Sequence, residues 1–169
     1  MNIQNIIFVL LRLLHIVSAV SWIAIGATLT LFVAPAAVKV GESGYRYLKT
    51  LLTRTPYAKL VAPAAGITTL AGILLYLDGG GRFGPLGSAV LGIGAVFGLI
   101  ATIHGGAIVG RTTTALGKVL ETVPDGAQPI PAAILTQLNE LATKLLGEAR
   151  ISLILMIVAL VCMGSARYL

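Results

Sequence analysis

Four apolar runs decide what this chain can fold into. The first, LLRLLHIVSAVSWIAIGATLTLFVAPAA, belongs to a stretch over residues 6–37, and others follow over 60–77, 86–109 and 151–166. Each approaches or exceeds the roughly 20 residues that carry a helix across ~30 Å of hydrocarbon. Only 11% of the residues are charged and the mean hydropathy is +0.96. A water-soluble domain carries about 25% charged residues, so this composition belongs to the membrane class. The expected fold is all-α: an integral membrane four-helix antiparallel bundle, one domain over 1–169, with a cytoplasmic amphipathic helix at 131–148 before the last span.

The net charge of +6 reads as topology and headgroup contact rather than nucleic-acid binding. Lys39, Arg46, Lys49, Arg54 and Lys59 crowd the first connection. Arg111, Lys118, Lys144 and Arg150 mark the third, whereas the glycine-rich loop DGGGRFGP holds Arg82 alone. The positive-inside rule places connections one and three in the cytoplasm and both termini outside. Cys162 is the single cysteine, so an intrachain disulfide is impossible. The opening MNIQNIIFVLLRLLH lacks a basic n-region, and its apolar run is too long for a signal h-region; it reads as a retained span.

The connections have their own signals. Tyr45, Tyr47 and Tyr57 suit a membrane interface. Pro35 marks a kink or end for the first helix, and Gly110 with Arg111 an end for the third. G-G-G-R-F-G is no phosphate-binding fingerprint, because no strand precedes it. VPDGAQPIP is a turn. Beyond it, Ile134, Leu138, Leu141 and Leu145 recur at helical spacing, which makes the amphipathic segment.

Chemistry concentrates on the first helix. Arg12, His15, Ser18, Ala19, Trp22 and Gly26 fall at steps of three or four and share one face. Lipid selects against a polar, small-residue face, so this one is expected to point into the bundle or a dimer partner. His15 then becomes a candidate metal ligand, Arg12 a cation for an anion one turn outward, and Ser18 and Trp22 the wall of a flat cofactor. The competing account is a packing face whose histidine makes one hydrogen bond. The second histidine, His104, lies beside Gly94, Gly98, Ala101 and Gly105, a smooth groove for a helix or a ring.

Depth limits the combinations. His15 belongs to the outer part of the membrane and His104 to the inner, about 10 to 15 Å apart at 1.5 Å per residue. That separation disfavours one haem taking both from one chain. A two-fold axis along the membrane normal preserves depth, so His15 of a second copy is the natural mate. Met156 lies near the depth of His104, and a His104–Met156 pair, with Met163 one face-repeat away, suits haem iron or copper. Methionine at helical spacing more often fills a core. With no carboxylate deep in a predicted span, proton-relay and carboxylate-bridged chemistry are disfavoured.

The opening LLRLLHIVSAVSWIAIGATLTLFVAPA resembles the first helix of small bacterial four-helix membrane proteins grouped with the copper-resistance CopD family. It shares a Leu-His run, a Trp-centred element and an apolar segment ending near a proline. The closing ARISLILMIVALVCMGSARYL is similar to their last helix. A weaker likeness links the first helix to the HemJ family of haem-binding membrane enzymes. The resemblance covers both ends of the chain and little of the middle, and Ile23-Ala24 stand where a glycine pair is common in the CopD group. It implies haem or copper handling in the membrane, with His15 at the first-helix histidine. The enzymatic role of the HemJ family does not carry over, since Lys59, Lys118 and Lys144 all lie outside the predicted spans.

The leading expectation is a haem b protein of the bacterial inner membrane, a homodimer that transfers electrons to a redox partner or handles haem. His15 would be an axial ligand, Arg12 a propionate partner, Trp22 a ring-edge contact and His104 a second ligand or site. The alternatives are copper binding through His104, Met156 and Met163, and a non-catalytic scaffold subunit.

Overall fold

The computed structural model describes residues 2–79, 83–126 and 128–169, and contains only helices and short connections among them. Helix α1 covers Ile3–Val40, α3 Tyr57–Gly79, α4 Pro85–Glu121 and α5 Ala132–Ser165. A short helix, α2 (Glu42–Lys49), lies between α1 and α3. All four long helices have the length and hydropathy to cross a membrane. The protein is an all-α, multi-pass four-helix bundle whose surroundings are a lipid bilayer.

The long helices overrun the lengths read from the sequence, and each overrun has a local cause. Pro35 does not end α1, because the turn Leu29–Val33 widens to an i→i+5 pattern just before it. Widening relieves the clash between the proline ring and the preceding turn. Gly110 does not end α4, since its φ is −61° and not positive. A glycine stops a helix when it adopts a positive φ, as Gly41 does at 74° between α1 and α2. The amphipathic segment and the last span are one continuous helix, because nothing between 148 and 151 breaks it. The tight loop read at DGGGRFGP lies in part, at 80–82, outside the described residues.

The bundle is two hairpins. α1 packs along α3, and α4 along α5, with fewer approaches between the pairs. Residues that are nearly inaccessible gather at the end bearing the two basic connections, here called the basic end: Tyr45, Leu48, Leu116, Leu120, Val123 and Leu138. Two of the parts meeting here, α2 and the segment at Val123 and Ile130, lie outside the spans, and hydrophobic burial drives such packing. Further along, a smaller cluster joins Trp22, Ala101, Leu153 and Met156. Within hydrocarbon such contacts are held by close packing, because lipid tails are as apolar as the side chains they replace. This explains why Leu10, Leu13, Val17, Leu70 and Ile103 remain outward-facing.

At the basic end α2 grips the described residues of the connection between α4 and α5. Lys49, a residue 8% exposed, donates through its ammonium to the Val123 carbonyl at 2.6 Å and to Asp125 at 2.8 Å. Arg54 meets the same carboxylate at 2.9 Å. Arg46 donates to the carbonyls of Pro124 and Gln128, and Glu42 accepts from the Ile130 amide. The hydrogen bonds from Lys49 and then Arg54 hold the Asp125 carboxyl below its ordinary range. Burial pushes the Tyr45 phenol, which donates to Asn139, above its own.

Candidate functional site

His15 occupies the seam between α1 and α3. Its Nδ1 lies 2.8 Å from the Thr68 carbonyl oxygen. A carbonyl can only accept, so Nδ1 carries the hydrogen and, in the neutral ring, Nε2 keeps its lone pair. Room for the imidazole comes from Gly72: a Cβ there would stand 2.8 Å from Cε1 and 3.0 Å from Nδ1. One turn along, Thr68 Oγ1 donates to Ser18 Oγ at 2.9 Å, and Ser18 donates to the Leu14 carbonyl at 2.7 Å. The ring is therefore held on two sides by α3 and supported from below by a hydroxyl pair.

The rest of the predicted face divides. Ser18 and Trp22 are buried, His15 is half-buried, and Arg12 is exposed one turn outward. Trp22 is two turns from His15, about 10 Å along the axis. Its indole lies in the inner cluster with Ala101, Leu153 and Met156, and a Cβ on Gly105 would approach Trp22 Cζ2 at 3.8 Å. Trp22 is thus a core residue joining α1 to the second hairpin. It does not flank the His15 ring.

His104 sits on the other hairpin, where its Nδ1 is 2.9 Å from Ser152 Oγ on α5. The structure does not bring it to His15. Met156 turns its Cε toward Gly26 of α1, the distance to an added Cβ being 3.6 Å. The glycine groove is filled by α5: a Cβ at Gly94 would meet Met163 Cγ at 2.9 Å, Cys162 Cβ at 3.0 Å and the Ala159 carbonyl at 3.2 Å. Both methionines on the expected copper face are engaged in helix packing. Among the described residues no group of three or more His, Cys, Asp or Glu side chains is placed to hold a metal ion.

Two features escaped the reading of the sequence. The Thr68 carbonyl and Gly72 complete the His15 site, yet a backbone acceptor leaves no mark in composition. The spacing of Gly72 four residues after Thr68 was the one available signal. Glu148, assigned to the segment outside the last span, belongs to a continuous helix that enters the membrane. Its Oε2 is buried without a hydrogen-bond partner.

No protein-family model, curated protein or solved structure matches this chain.

Proposed function

We propose that this is a haem b-binding membrane protein in which His15 supplies an axial ligand through Nε2. The observation that carries the reading is the Nδ1–Thr68 contact of 2.8 Å. Metal-ligating histidines characteristically donate their second ring nitrogen to a carbonyl or carboxylate, which fixes the tautomer and raises ligand basicity. The residues present fit this half of a haem site, with Arg12 available to pair with a propionate. A bound haem supplies one-electron chemistry, whose potential responds to axial ligation and burial. The chain orients the imidazole through Thr68, sets its position by the missing side chain at Gly72, and shields it with lipid-facing leucines.

His104 lies on a different hairpin, so the opposing ligand is His15 of a second copy related by a two-fold axis along the membrane normal. Such an axis keeps both imidazoles at one depth. The excess of lysine and arginine at the basic end supports a reading in which that end faces the cytoplasm of a bacterial inner membrane and both termini lie outside. Electron transfer with a redox partner is the role this arrangement suits. The copper reading loses support because Met156 and Met163 are used in packing.

The dithionite-reduced absorption spectrum of the purified protein tests the proposal. The wild type is expected to show a Soret band that His15→Ala removes. A colourless wild type, or a band unchanged in His15→Ala, overturns it. Metal analysis after growth with copper distinguishes the copper alternative, and a colourless, metal-free oligomer would favour a scaffold subunit.

A further inference from the structure

Helix α4 continues well beyond its apolar run. From Pro85 to Gly110 it carries no Asp, Glu, Lys or Arg, and Arg111 is the first such residue. At 1.5 Å per residue the uncharged part alone spans ~30 Å of hydrocarbon. Arg111 therefore stands at the headgroup level of the basic end, and the helix runs on to Glu121. On this stretch lies a hollow of about 490 Å³, lined by Gly106, Gly110, Arg111, Thr114, Ala115 and Lys118. All six belong to α4. The buried residues Thr112, Leu116 and Leu120 take the opposite face, toward the bundle.

No neighbouring helix fills the hollow. A Cβ at Gly106 would meet nothing within 4 Å, and one at Gly110 only the Gly105 carbonyl of its own helix. This differs from Gly94, whose groove is occupied by α5. Two exposed cations share the hollow and no carboxylate lines it. Neither Arg111 nor Lys118 forms a hydrogen bond or ion pair among the described residues. Elsewhere at the basic end Arg46, Lys49 and Arg54 are taken up by carbonyls and by Asp125. Thr114 returns its hydroxyl to the Gly110 carbonyl at 2.8 Å, which leaves the two cations as the free side-chain donors. Their Cα atoms differ by ~10 Å along the axis. Lys118 leans toward the start of its helix, so its ammonium reaches back toward the bilayer.

We propose that this hollow binds one anionic phospholipid, with Arg111 and Lys118 on the phosphate-bearing headgroup and one acyl chain laid over Gly106 and Gly110. Charge complementarity and level together select this occupant. A guanidinium grips phosphate through paired N–H groups and an ammonium adds a point charge. A zwitterionic headgroup would bring its own cation beside two that are already unpaired, whereas an anionic one brings none. A soluble anion would use the cations and leave the glycine half of the hollow, which lies in hydrocarbon, unused. An amphiphile uses both halves. The hollow lies on the other hairpin from His15, and its test needs no haem.

Titrating dioleoyl phosphatidylglycerol into the detergent-purified chain, with the thermal midpoint as readout, provides that test, because a ligand of the folded state raises the midpoint. The expected result is a saturable rise that neither dioleoyl phosphatidylcholine nor inorganic phosphate produces. Arg111→Gln combined with Lys118→Gln should raise the half-saturating lipid concentration roughly thirtyfold, at about fivefold per cation. Lys39→Gln combined with Lys59→Gln removes the same charge from the same end outside the hollow, and should leave that concentration nearly unchanged. Gly106→Leu fills open space and should weaken binding severalfold. No saturable rise with phosphatidylglycerol overturns the proposal, as does an equal rise with phosphatidylcholine or with inorganic phosphate. An equal loss in the two double variants overturns it too, since attraction would then belong to the whole end. Should the Arg111–Lys118 variant fail to fold, Gly106→Leu decides: unchanged lipid affinity overturns the proposal.

Discussion

The position of His15 is set by an atom that is not there. A Cβ at Gly72 would lie 2.8 Å from the imidazole Cε1, closer than side chains approach one another. Gly72→Val is therefore expected to push the ring off the Thr68 carbonyl and, on the proposed haem-binding function, to lower the haem-to-protein ratio severalfold. Gly66→Val is the control, because a Cβ there meets nothing within 4 Å. If both variants keep the wild-type ratio, the imidazole is not held as described. The sequence shows at this scale why Arg12, His15, Ser18 and Trp22 belong to one face, since helical spacing alone demands it. It does not show which neighbour each meets. Trp22 shares a stripe with His15, and two turns of rise bring it against Ala101, Leu153 and Met156. Thr68 was invisible for a similar reason: its backbone oxygen, not its hydroxyl, holds the ring.

At the scale of elements, the α4–α5 contact rests on small residues. The Cβ of Gly94→Val would collide with Met163, with Cys162 and with the Ala159 backbone, and backbone cannot swing aside. Overpacking of this kind costs about 1–3 kcal/mol. Chemical unfolding in detergent should show that loss, while Gly106→Val, in open space, should be close to neutral. Wild-type stability in Gly94→Val would mean that the hairpin does not need this approach. The sequence displayed these glycines plainly but left open whether a helix or a ring would enter the groove. It placed four spans correctly and their ends poorly. Proline and glycine stop helices only where the backbone cannot adapt, and the widened turn before Pro35 and the ordinary φ of Gly110 are such adaptations. The same difficulty hid Glu148, since a helix with no break carries its charges further inward than hydropathy suggests.

Across the whole molecule, the two hairpins are locked at the basic end by Lys49, Arg54 and Asp125. The Asp125 carboxyl is held low in the folded chain by the hydrogen bonds from these cations. The folded state thus binds that proton less tightly than the unfolded one. Its contribution to stability is complete above roughly pH 4 and is lost as pH falls through that value toward the lowered folded one. The thermal midpoint measured at pH 6 and pH 3 should drop by less in Asp125→Asn than in the wild type. An equal drop would show that the carboxylate is not part of the lock.

The lock also joins residues that are made at different times. Lys49 and its carbonyl partner Val123 are 74 positions apart, a delay of roughly 4–15 s at ordinary rates of synthesis. Through that interval the first hairpin stands in the membrane with an ammonium prepared for burial and nothing to receive it. Closure of the basic end must wait for the third connection, so a chain stalled before it would be held open by its own lysine.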